Sequence, residues 1–174
     1  MTDKLPVCPH CGSHHVQKIE DFYRCDDCRR DFGRSETADD GTPLVDAIKG
    51  LRFRYGDVVS GSVRLRIVET DKEVRFEVYD ANEGGVDKVE DTLDPEEWMK
   101  IKDKLINHLY VPDWDREYIA VNDGKNVPDN NEWELDLDIN EDEVMTYRGY
   151  DATPVYWSSL MRIVNPFFSK LEKN

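Results

Sequence analysis

Three features of the 174-residue sequence predict an α+β fold in two parts. All four cysteines stand at or before residue 28, in two Cys-x-x-Cys pairs. Beyond Leu51, apolar residues alternate with charged ones in several short runs, which is the period of half-buried strands. Two later stretches, opening near Pro95 and Pro154, change to the spacing of helices that bury one side. Strands grouped in runs, rather than alternating singly with helices, favour an antiparallel sheet carrying two main helices. We therefore expect a small N-terminal unit over residues 1–34, a linker over residues 35–48, and an acidic α+β domain over residues 49–174.

The N-terminal unit rests on Cys8-Pro9-His10-Cys11 and Cys25-Asp26-Asp27-Cys28. Two residues between cysteines let both sulfurs turn back toward one point, and two such knuckles complete a tetrahedral thiolate site. The thiols either hold one divalent metal or pair as two disulfides. Disulfides need an oxidising compartment, and Met1-Thr2-Asp3-Lys4 has no apolar segment of an export signal, so zinc is expected on Cys8, Cys11, Cys25 and Cys28. Four thiolates close the coordination shell, which makes the metal structural and leaves His10, His14 and His15 as loop residues. Gly12 stands where a positive φ or a close backbone approach is needed. Val16 to Glu20 and Phe22 to Arg24 read as strands, with Phe22, Tyr23 and Phe32 as a miniature core. The segment from Cys8 through Phe32 resembles the zinc ribbons of transcription- and transposition-associated proteins. That resemblance implies a fold, while ribbons serve nucleic-acid binding, protein docking and structural capping alike.

Charge marks the next boundary. The chain holds 38 Asp and Glu against 23 Lys and Arg, a formal net charge of −15, yet residues 1–34 contain six of each sign. The acidity belongs entirely to residues 35–174. Ser35 to Pro43 has one small apolar residue, Ala38, and ends in turn formers, so it reads as a linker with nothing to give a core.

Leu51, Phe53 and Tyr55 alternate with Arg52 and Arg54; Val63, Leu65 and Ile67 alternate with Arg64 and Arg66; Val74, Phe76 and Val78 obey the same rule. These are three strands of a meander, turned at Glu69 to Lys72. Asp94-Pro95-Glu96-Glu97 supplies a cap, a first-turn proline and first-turn acids, and Trp98, Ile101, Leu105 and Leu109 carry the helix to residue 109. Trp133 to Ile139 alternates again, Val144 to Arg148 extends, and Thr153-Pro154 opens a second helix that Pro166 is expected to kink or break. The recurring order strand–strand–helix suggests a duplicated unit. Leu51 to Leu171, with Trp133 to Leu137, Tyr147 to Tyr150 and Pro154 to Trp157, resembles domains of bacterial proteins without an established activity, and carries no catalytic residue across. Gly149 reads as a turn or bulge residue.

Chemistry outside the cysteines is sparse, and no catalytic residue is nominated. His108 is the one histidine beyond the N-terminal unit, read as a helix-end cap, so a nucleophilic triad has little to be built from. Gly84-Gly85 and Asp123-Gly124 are isolated turn signals without the glycine spacing of a phosphate loop. Asp136-Leu137-Asp138-Ile139-Asn140 opens like a calcium loop, but Glu141 stands at the glycine position and Tyr147 at the bidentate glutamate position. Asp113, Asp115, Asp138 and the run Asp129 to Glu132 are the carboxylates from which an enzyme would have to be made. Tyr110, Trp114 and Tyr118 are either docking aromatics or core. No run approaches the ~18 apolar residues of a membrane helix, so a cytoplasmic protein without a membrane partner is expected. The expected function is a noncatalytic adaptor binding a protein with a basic surface, because an acidic face repels phosphates. The alternatives are a transcription- or mobile-element-associated factor touching nucleic acid through Lys18, Arg24, Arg29, Arg30 and Arg34 of the ribbon only, and a carboxylate-dependent enzyme.

Overall fold

The computed structural model describes residues 4–57, 61–82, 85–120, 131–140 and 142–171. Gly84, Asp123-Gly124, Glu141 and the start of the Asp129 to Glu132 run lie outside the described residues. The described residues form two sheets. The first holds β1 (Val16–Ile19), β2 (Phe22–Cys25) and β3 (Asp31–Phe32), antiparallel in that order. The second holds β4 (Gly50–Asp57), β5 (Gly61–Glu69), β6 (Val74–Asn82), β7 (Gly85–Leu93), β8 (Glu117–Ile119), β9 (Asn131–Asn140) and β10 (Glu143–Tyr150). Its order is β7-β6-β5-β4-β9-β10-β8, and every neighbouring pair is antiparallel except the edge pair β10 and β8. The α+β layout is as the sequence implies, with a mixed sheet at that one edge. Strand–strand–helix recurs unequally, since four strands precede the first long helix and β8 to β10 precede the second.

Alternation decides what each strand buries. Leu51, Phe53, Leu65, Ile67, Phe76, Val78, Leu135 and Leu137 all point to one face and are buried. Among the described residues three α-helices appear: α1 (Leu44–Ala47), α2 (Pro95–Asp103) and α3 (Trp157–Phe168). The carboxylate of Asp94 caps α2 by accepting from the Glu96 amide at 2.9 Å, with Pro95 in the first turn, as the sequence predicts. Beyond Asp103 the helix widens into a π turn, Lys104–His108, in which the Leu109 amide donates to the Lys104 carbonyl at 2.8 Å. Trp98, Leu105 and Leu109 are buried. Lys102 is only 2% exposed: its Nζ lies 3.3 Å from Glu69 Oε2 and 3.4 Å from the Ile48 carbonyl, and Trp98 Nε1 donates to the same Glu69 oxygen at 2.8 Å. A buried ammonium so supplied with acceptors is a structural strut between α2 and β5.

α3 lays Leu160, Val164 and Phe167 into the core, with the Phe167 ring 5.2 Å from that of Phe76. Two expectations fail here. The helix begins at Trp157 rather than at Pro154, and it runs unbroken through Pro166. Pro166 falls in the last turn, where the helix ends at Phe168, and so ends the element without dividing it. The segment read as a linker also behaves differently: Ala38, Leu44, Ala47 and Ile48 are buried in the main core, and Leu44 to Ala47 is helical. It packs instead of tethering. No helix among the described residues is long and apolar enough to cross a membrane.

Gly149 is not at a turn or bulge. It sits inside β10, paired with Trp133 on β9 and Tyr118 on β8. A Cβ at that position would overlap the Trp133 indole nitrogen, which donates to the Ala152 carbonyl at 2.8 Å. Close approach of a buried tryptophan is the reason for the glycine.

Candidate metal centre

The two knuckles are near copies of one another. The Gly12 amide donates to the Cys8 carbonyl at 2.9 Å, and the Arg29 amide to the Cys25 carbonyl at 2.9 Å. The Cys8 amide donates to the Ser13 carbonyl at 3.0 Å, and the Cys25 amide to the Arg30 carbonyl at 3.0 Å. In each, the residue after the second cysteine is left-handed, Gly12 at φ 78° and Arg29 at φ 62°. The first knuckle uses glycine for that conformation; the second forces it on an arginine. The β1–β2 hairpin, with Val16 opposite Cys25, brings the two knuckles together.

The four Sγ atoms lie within 4.8 Å of one another and form the one cysteine, histidine and carboxylate cluster of this kind among the described residues. Cys8 Sγ is 3.7 Å from Cys28 Sγ, and Cys11 Sγ is 3.5 Å from Cys25 Sγ. The edge of a tetrahedron with 2.3 Å metal–sulfur bonds is about 3.8 Å, so one ion fits between them. Amides point at the sulfurs, His10 N at 3.4 Å from Cys8 Sγ and Cys28 N at 3.5 Å from Cys25 Sγ. Burial pushes the Cys8 thiol up to about 12, against the pull of the Cys11 and His10 amides. At Cys25 burial also raises the thiol, but the Cys28 and Asp27 amides and neighbouring sulfurs outweigh it and bring it down to about 7. Cys8 and Cys25 are fully buried, and Cys11 is exposed. Four cysteines are thus positioned to hold a metal ion in a geometry compatible with a zinc-binding ribbon.

The histidines stay outside that cluster. His15 Nδ1 is 3.1 Å from Asp27 Oδ2, and His10 lies between the Asp31 carbonyl at 3.4 Å and an Arg30 guanidinium nitrogen at 3.3 Å. Three of the cations here are already engaged. Asp31 takes Arg24 at 2.6 Å and Arg34 at 2.9 Å, which holds its carboxyl down at about 2, and Arg30 approaches Asp115 at 3.7 Å. Phe22 lies beneath the Arg34 guanidinium, 3.6 Å from the ring centroid.

What the sequence does not disclose is how this unit sits on the rest of the chain. Its core is Cys8, Val16, Cys25, Phe32 and Tyr110, the last supplied from beyond α2. Tyr110 takes a left-handed φ of 55° where the chain leaves the π turn, and its ring stands 5.0 Å from Phe32, 6.2 Å from Tyr23 and 6.0 Å from Tyr156. The Gly33 amide donates to Asp113 Oδ2 at 2.9 Å, and the Tyr156 hydroxyl donates to the Val7 carbonyl. Burial raises the Asp113 carboxyl despite that amide. Tyr110 and Trp114 are therefore buried, and Tyr118 is half-buried.

The remaining expected carboxylates are scattered. Asp113 and Asp115 face the N-terminal unit, whereas Asp138 lies on β9 with Arg52 at 2.8 Å. Asp136 and Asp138 sit on a strand, not a loop, which accounts for the failed calcium pattern. His108 lies 3.3 Å from Asp103 Oδ2 at the helix end. No protein-family model, no curated protein and no solved structure matches this chain. The ribbon likeness rests on cysteine spacing and knuckle geometry.

Proposed function

We propose that the chain is a noncatalytic zinc-ribbon protein, with Cys8, Cys11, Cys25 and Cys28 as the ligands of one structural zinc ion and the acidic α+β part as a protein-binding module. The carrying observation is that four sulfurs lie within 4.8 Å of one another; as the ligands of one tetrahedral ion they would leave no position for water or substrate. Zinc bound there would neutralise thiolates and supply most of the folding free energy of a unit too small to hold itself. The residues of the chain then fix its orientation: Tyr110 fills the unit's core and Asp113 holds the Gly33 amide. The −15 charge favours a partner with a basic surface. Contact with nucleic acid through the ribbon is the weaker reading, because Arg24, Arg30 and Arg34 are spent on Asp31 and Asp115.

Cobalt substitution tests the core of this. The full chain should bind one equivalent with the absorption of a tetrahedral tetrathiolate, unchanged by added cyanide or azide, and Cys25→Ser should abolish it. A spectrum that shifts on adding such a small anion would reveal an open position and overturn a purely structural role.

A further inference from the structure

The face of the larger sheet opposite the core carries a charge arrangement at odds with the acidity of the chain. Register places Arg52 on β4 directly opposite Arg66 on β5, and Arg54 directly opposite Arg64. Like charges facing each other across strands are destabilising. This happens in two successive rows, in the middle of a seven-stranded sheet, in a protein with fifteen excess negative charges.

The two columns of this block differ. On β4, Arg52 is held by Asp138 at 2.8 Å and Asp136 at 3.6 Å, and Arg54 by Glu132 at 3.7 Å and Glu134 at 3.9 Å. On β5, neither Arg64 nor Arg66 is ion-paired among the described residues. The residue opposite Arg66 on its other side is Glu77, but Lys88 on β7 takes that carboxylate at 3.6 Å. The residue opposite Arg64 is Tyr79, whose ring centroid lies 6.0 Å from the guanidinium carbon. The four arginines, Tyr79 and the β9 carboxylates Glu134 and Asp136 line a depression of about 200 Å³. Two ion-paired and two unpaired guanidinium groups thus share one concave spot with Glu134 and Asp136, the carboxylates that hold the paired two, on strands whose inward side chains Leu65 and Phe53 are locked in the core.

We infer that this block is a binding site for the dianionic phosphoryl group of a small molecule, with Arg64 and Arg66 as its direct donors, while Arg52 and Arg54 keep the β9 carboxylates engaged and away from them. The planar guanidinium fork matches phosphate oxygens, and a dianion relieves the cross-strand repulsion better than a monoanion does. The site is separate from the metal centre and independent of the function proposed for it.

The test uses the zinc-loaded full chain with inorganic phosphate as the probe, at constant ionic strength, read by the arginine Nε–Hε NMR signals and by the thermal midpoint. Phosphate should shift the Arg64 and Arg66 signals saturably and raise the midpoint. The double variant Arg64→Gln, Arg66→Gln should bind it roughly tenfold or more weakly. Arg75→Gln, on β6 and paired with Glu73 at 3.5 Å, should leave binding unchanged. Without phosphate the double variant should melt no lower than the parent, since it loses repulsion and no ion pair. Four results would each overturn the proposal: no saturable shift, equal phosphate binding by the double variant, acetate matching phosphate at equal ionic strength, or a single-stranded oligonucleotide bound where inorganic phosphate is not. A double variant that melts below the parent in plain buffer would show the block to be structural, and would overturn it too.

Discussion

Replacing Tyr110 with alanine tests whether the metal unit is held by the larger sheet or merely lies beside it. The Tyr110 side chain is 7% exposed, and its ring meets Phe32 and Tyr23 of the N-terminal unit as well as Tyr156. Truncating a buried aromatic to alanine costs about 3–5 kcal/mol, a range that already includes the cavity left behind. Its ring contacts are each worth about 0.5–1.5 kcal/mol beyond area, so most of that loss falls on the contact between the two units. We expect Tyr110→Ala to lose about 3–4 kcal/mol in urea denaturation of the metal-loaded chain, and to release metal to a chelator faster. Tyr110→Phe keeps the ring and the left-handed backbone, and should stay within about 1 kcal/mol of the parent. A loss below about 1 kcal/mol for the alanine variant, with metal release unchanged, would refute the docking role, because that is the size of an ordinary surface effect.

Other consequences rest on single residues. Arg29 holds a left-handed φ that Gly12 adopts freely in the other knuckle, so Arg29→Gly should gain about 1 kcal/mol in the metal-loaded form, while Gly12→Ala should lose a similar amount; equal effects in both would deny the equivalence of the knuckles. Gly149→Ala drives a methyl into the Trp133 indole and should cost at least about 1–3 kcal/mol by thermal melting. Two carboxyls give acid limbs of opposite sign. Burial raises Glu69, but Trp98, Lys102 and Lys49 more than offset it, so its folded carboxyl lies below the unfolded one; its stabilisation is present above the unfolded value, about 4.3, and is lost as pH falls through the lower folded value. Glu69→Gln should flatten that acid loss. Burial raises Asp113, so its stabilisation is full while protonated, below the unfolded value near 3.9, and is lost as pH climbs through the higher folded one. Asp113→Asn, which still accepts the Gly33 amide, should remove that decline; a pH profile identical to the parent in either variant contradicts the assigned sign.

The parts legible in sequence are those set by neighbours along the chain. The knuckles are readable because a metal-ligand spacing is local, and β4, β5, β6, β9 and β10 because each alternates on its own. The cap and proline at Asp94-Pro95 likewise name the start of α2 without reference to anything distant. Elements at the sheet's edges are not readable. β7 carries Asp87, Lys88, Glu90 and Asp91, charges suited to an edge strand and indistinguishable from a loop, and β8 has three residues. Burial of Leu44 and Ile48 is hidden for another reason: the mostly apolar run Leu44 to Ile48 is too short to show a period of its own, and after the polar stretch Ser35 to Pro43 it reads as part of a tether unless its landing place is known. The same limit governs the site. Four cysteines announce a metal, but the side chain completing their core is Tyr110, and the carboxylate bonded to Gly33 is Asp113, both far along the chain and placed by the exit from a π turn. The arginine block is the sharpest instance. Arg52, Arg54, Arg64 and Arg66 each read as the solvent side of an amphipathic strand, and that reading is right for every one of them taken singly. Only the register of β4 on β5 sets them face to face, and only the pairing of β4 with β9 uses up the carboxylates that would have neutralised them all. Net charge therefore misleads about the sheet: a chain that repels anions as a whole concentrates unpaired cations at one fixed place on it, and binding at short range obeys the place.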